Sequence, residues 1–149
     1  MAITQAICTS FKKELLVGAH DFDASSGDTF KFALFTSDAS LSSTTTAFSS
    51  SNESSGTNYS SGGSNLTSID PALSSTTAVC DFANLTFSNV SVTARGALIY
   101  NSTPNTTSIS LTNPAVCVLD FGGDITASAG DFLITFPAAG SSTAIIRLA

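Results

Sequence analysis

The sequence predicts a mainly β protein, an antiparallel β-sandwich or barrel of the jelly-roll kind with one short N-terminal helix. Three features carry that expectation. Apolar residues alternate with a period of two through much of the chain, clusters of Asn, Pro, Gly and Ser interrupt them at short intervals, and eleven Phe residues supply a core without any Trp. At 149 residues the chain has one domain's worth of length and can bury about two-thirds of the surface its unfolded form exposes.

The elements follow in order. Ile7, Cys8, Phe11 and Leu15 recur at helical spacing with Lys12, Lys13 and Glu14 between them, which predicts a helix over about residues 5–17. Gly18 is placed to end it in the left-handed conformation. "TFKFALFTS" switches the period to two, setting Phe30, Phe32 and Leu34 on one face of a strand and Lys31, Ala33 and Phe35 on the other. Residues 38–75 then lose core content. Their Ser and Thr runs, pinned only by Phe48, Tyr59 and Leu66, predict a long excursion lying over a sheet or a neighbouring subunit. The β-rich core is expected over 28–37 and 78–149, with strands near 78–82, 85–87, 91–100, 115–121, 131–136 and 143–148. "DFGGD" reads as a strand end followed by a Gly-Gly turn, and "NTTSISLTN" between Pro104 and Pro114 as an exposed hairpin tip or short edge strand. Pro137 closes a strand where its missing N–H costs nothing.

One echo invites a different reading. "AVCDF" at residues 78–82 returns as "AVCVLDF" at 115–121. The correspondence soon needs gaps, the glycines fall out of register and no third copy exists, so these are two strands of similar pattern and not a repeat. Cys80 and Cys117 then stand where half-buried strands take small apolar side chains.

Composition narrows the function classes. Five Lys and Arg against eleven Asp and Glu give a net charge of -6, with no cation cluster to neutralise phosphate, so nucleic acid is not an expected partner. No apolar run is long enough to span a membrane, and the lysines follow the first apolar residues instead of preceding them as in a leader. The expectation is a chain folded in a cytosol with no membrane partner. Ser and Thr make up nearly a third of the sequence. A surface of small hydroxyls packs against neighbours at little cost in rotamer entropy.

Candidate chemistry is thin. Cys8, Cys80 and Cys117 show no Cys-x-x-Cys spacing, and His20 is the sole histidine, so a zinc site lacks ligands. Cys8 and His20 could form a nucleophile pair only if a helix residue met one just past the helix end. "DFDASSGD", residues 21–28, opens like a calcium loop, but its Gly comes one position late and no Glu closes it, so it reads as a polar turn. The sequence therefore predicts no catalytic residue, no metal and no cofactor. Arg95 in "TARGALIY" and Arg147 in "TAIIRLA" stand inside apolar strands, where each must reach solvent or meet a carboxylate within the sheet or across an interface.

Taken together, "MAITQAICTSFKKELL", "FKFALFTS", "SSNESSGTNYSSGG", "ARGALIYN", "LDFGGD", "FPAA" and "TAIIRLA" resemble a family of small virion proteins of tailed phages that infect marine and freshwater bacteria, cyanophages among them. The likeness runs from first residue to last. It implies a virion component assembled in the host cytoplasm, with no catalytic motif to carry over. The leading expectation is a capsid decoration or cement protein that binds the major capsid protein lattice and associates with itself, as such proteins often do as trimers. A tail or fibre component is the alternative, although neither repeats nor a stalk are present. A β-sandwich module binding glycan or peptide is a third, weakened by the lack of Trp and by only two tyrosines, Tyr59 and Tyr100. Phe11, Phe48, Tyr59, Arg95 and Arg147 are the expected interface residues. Contact with neighbouring subunits is expected to order residues 40–68 and 2–11, with Phe48 and Tyr59 as anchors.

Overall fold

A computed structural model describes residues 2–149 and contains 47% strand and 5% helix, an antiparallel sandwich of two sheets that does not close into a barrel. In chain order the elements are β1 (Ala6–Ile7), α1 (Thr9–Leu16), β2 (Phe30–Phe35), β3 (Ser64–Asn65), β4 (Ser68–Ser74), β5 (Thr77–Phe82), β6 (Leu85–Asn101), β7 (Ala115–Ile134) and β8 (Ile146–Leu148). The larger sheet runs β1-β7-β6-β2-β3 and the smaller β4-β5-β8.

Phenylalanine joins the layers. Phe30 and Phe32 of β2 are fully buried, and Phe30 lies 5.9 Å from Phe82 of β5 between ring centroids. Phe22 stacks on Phe30 at 4.2 Å, while Phe136 meets both Phe32 and Phe82. Each such ring contributes about 1.5–3 kcal/mol by leaving water, which explains how a chain with so few charges holds one core.

The helix is shorter than its periodicity predicts. Ala6 and Ile7 instead pair with Val118 and Cys117 as β1, and the Cys8 N–H continues the contact to Val116 O at 3.0 Å. Edge pairing on β7 outweighs a first helical turn that has no side-chain cap. At the other end Gly18 has φ 71°, its N–H reaches Leu15 O and that of Ala19 reaches Glu14 O, so the helix closes in a Schellman motif where the glycine was expected to end it.

Two expected turns are bulges. The strands expected at 85–87 and 91–100 are one strand, β6, and those at 115–121 and 131–136 fall largely within β7, which runs straight through "DFGGD". Left-handed residues Asn89 (φ 52°), Gly122 (φ 79°) and Ala129 (φ 47°) absorb the irregularity without ending either strand. Between the pairs Ala94↔Ile125 and Gly96↔Asp120, Arg95 alone faces residues 121–124. Residues 105–113 form no strand and lie in the exposed β6–β7 connection. The last strand is only Ile146–Leu148, because residues 141–143 turn. The two Ala-Val-Cys segments fall in different sheets, β5 and β7.

The excursion is also more ordered than its composition predicts. Its end supplies β3, paired with β2, and β4, paired with β5 as the edge of the small sheet. Pro71 sits in β4 at a register shift between Ile69 and Ala72, where no ladder donor is needed.

Candidate functional site

Side chains with chemistry to offer converge beneath α1, and they are buried. Helix periodicity puts Glu14 three residues after Phe11 and hence on the same inward face. The Schellman turn then brings His20 back against it. His20 Nε2 lies 2.7 Å from Glu14 Oε2, and the Asn101 amide donates to His20 Nδ1 at 3.0 Å and to Asp28 Oδ2 at 2.7 Å. Asn101 Oδ1 accepts the Thr103 N–H at 2.9 Å, so the whole amide is used. Since Nδ1 accepts, Nε2 carries the hydrogen given to Glu14. The His20 side chain is wholly buried and its ring sits 4.8 Å from Phe11. This network ties the helix end to β6 and the Asp21–Asp28 loop. Glu14, expected with Lys12 and Lys13 between the apolar helix positions, is instead buried, because it lies one turn after Phe11, and nothing in the sequence marks Asn101, which is buried too.

Both His20 nitrogens are thus occupied by groups other than Cys8. Burial, and then the charge of Glu14, push the Cys8 thiol up to about 11. Burial raises Cys80 and Cys117 as well, with Cys8 adding to the effect on Cys117. All three are free thiols held against forming the reactive thiolate.

The Asp21–Asp28 loop turns its carboxylates on its own backbone. Asp23 Oδ1 accepts the Ser26 and Ser25 N–H groups and the Ser26 hydroxyl, which hold its carboxyl below the usual range. Asp28 Oδ2 accepts the Asp21 N–H, and Asp21 Oδ1 that of Asp23. Among the described residues no three potential ligands converge on one point.

The expected interface residues separate into three groups. Phe11 is core, 1% exposed. Phe48 stacks on Tyr100, and the Tyr59 hydroxyl accepts the Leu34 N–H at 2.8 Å while donating to Glu53 Oε1 at 2.9 Å. Glu53 also takes the Gly62 N–H and the Ser61 hydroxyl. These contacts correct the expectation that neighbouring subunits order the excursion: its aromatic anchors dock on β2 and β6 of their own chain. Arg95 Nε donates to Asp124 Oδ1 at 2.8 Å across the bulge, an exposed pair worth under about 1 kcal/mol. Arg147 is exposed, its guanidinium donating to Ser141 O at 3.3 Å.

What the surface offers is apolar. Among the described residues the outer edge of β7 from residue 119 to 134 has no strand partner, and a groove of about 510 Å³ runs beside it, lined by Leu119, Phe121, Ile125, Leu133 and Ile145. Leu133 is 60% exposed there. A second groove of about 250 Å³ lies between α1 and β8, flanked by Leu16 and Leu148. The outer edge of β4 carries Ile69 and Leu73. The fold and these edges define an antiparallel β-sandwich with its polar chemistry turned inward and apolar side chains along its open sheet edges. No family profile, curated protein or solved structure matches the chain.

Proposed function

We propose that the chain is a non-enzymatic phage virion protein, a capsid decoration or cement protein that binds the major capsid protein lattice. One observation carries the assembly part of this reading: large apolar side chains stand exposed along the sheet edges, on Leu73 of β4, Leu133 of β7 and Leu148 of β8. Each apolar square ångström covered by a neighbour contributes about 25 cal/mol, and the surrounding hydroxyls lose little freedom on contact. Such edges suit a part that clamps neighbouring subunits. The virion assignment rests on the likeness of "ARGALIYN" and the chain ends to small phage virion proteins.

The test is cosedimentation of purified protein with phage heads that lack it. Saturable binding at a fixed ratio to the major capsid protein is the expected result. A protein that stays in the supernatant with heads and pellets with purified tails belongs to the tail instead.

A further inference from the structure

The two grooves are neighbours along two stretches of the chain. Gln5 and Ile145 line the groove beside β7, and their near neighbours Ile7 and Ile146 line the one between α1 and β8. Both are apolar, and their charged members have opposite sign. Asp120 lines the first, with Asp124 and Asp131 further along the same strand. Lys12 and Arg147 line the second, with Lys13 next along the helix. Of the two other cations, Arg95 is held by Asp124 and Lys31 lies in β2.

We infer that the two grooves together form a two-fold interface between two copies of the chain, the β7 groove of each facing the α1–β8 groove of the other. A two-fold contact needs a surface complementary to itself. Here the halves are adjacent, both apolar, and opposite in charge. An axis through their shared boundary sets Lys12 and Arg147 of each copy against Asp120 of the other, so the complementary contact forms twice. The free edge of β7 does not favour open-ended strand addition, because the bulge at residues 121–124 interrupts its ladder and acidic side chains line it. Closed side-chain packing remains, and it covers Leu16, Leu133 and Leu148, which are otherwise among the most exposed large apolar residues. The inference deepens the assembly reading and rests on it only for what the dimer is for.

Sedimentation velocity on the full chain tests it, beside two charge-reversed forms, Lys12→Glu with Arg147→Glu, and Asp120→Lys. The wild type should be a dimer, and each reversed form should dimerise about tenfold more weakly or worse. Mixing the two forms should restore a one-to-one dimer, because reversed then faces reversed in one half and native faces native in the other. Asp120 also holds the Gly122 N–H, so Leu133→Glu serves as a second disruption of the same groove. A wild type that is monomeric at about 100 µM, reversed forms that dimerise as well as it does, or a mixture that stays monomeric overturns the contact. A monomer that still binds heads overturns the two-fold interface and leaves the virion role standing. A dimer that ignores heads supports the interface and counts against the virion role.

Discussion

Phe48, in the Ser/Thr-rich excursion, lies flat on Tyr100 of β6, with ring centroids 4.5 Å apart and planes inclined by 18°. An excursion with little apolar content is therefore held by its own chain through a few well-placed contacts. Ser54 adds another, its N–H reaching Leu34 O and its hydroxyl Thr93 O, both at 2.8 Å.

Tyr59 is where this arrangement is most exposed to mutation. Tyr59→Phe keeps the ring against Phe87 but leaves the Leu34 N–H without its partner, and should cost about 1–3 kcal/mol in urea unfolding. Deleting residues 49–61 removes Ser54, Glu53 and Tyr59 together, so it should broaden and lower the thermal transition. An unchanged melting curve after the deletion would mean that the excursion contributes nothing to the fold.

The Glu14–His20 pair makes a second prediction. Glu14→Gln keeps an acceptor for the buried His20 Nε2–H and should cost about 1 kcal/mol, whereas Glu14→Ala strands that donor and should cost about 3 kcal/mol. Chemical denaturation of both variants checks the order. Equal losses would show that the hydrogen bond is not what the site supplies.

Cys8 links stability to alkaline pH. Its thiol is raised from 9.0 to about 11 by burial and by Glu14, so the folded state keeps a proton that the unfolded chain releases. Its contribution is full below about pH 9 and is lost as pH rises towards 11. Cys8→Ala should make the decline of the urea midpoint with pH shallower, leaving the part that Cys80 and Cys117 contribute. Cys8 should also resist alkylation at pH 8 until the protein is denatured, as mass spectrometry of iodoacetamide-treated samples would report.

The layer class was legible because period-two patterning in "TFKFALFTS" and the later apolar runs reflects one-sided burial directly. Element boundaries were less so. Asn89 and the Gly-Gly of "DFGGD" carry turn-like signals, yet the long β6–β7 ladder absorbs each as a bulge, and only pairing across the sheet decides between the two outcomes. Local helical spacing likewise could not foresee that β7 would claim Ala6 and Ile7. The buried network was not legible: Glu14 stands with Lys12 and Lys13 between the apolar helix positions, and Asn101 joins the network through His20, 81 residues away, so only the fold unites them. Phe48 and Tyr59 were recognisable as anchors; what they anchor to was not, because an aromatic in a polar loop looks the same whether it docks at home or on a neighbour.

The most direct measurement of the central claim, that this chain is a part of an assembled particle, is a cryo-EM map of the virion at a resolution that traces strands. The account predicts the two-sheet sandwich on the outer capsid lattice, its apolar edges covered by neighbouring subunits. A particle whose every density is filled by other proteins, with this chain absent from its mass spectrum, would contradict it.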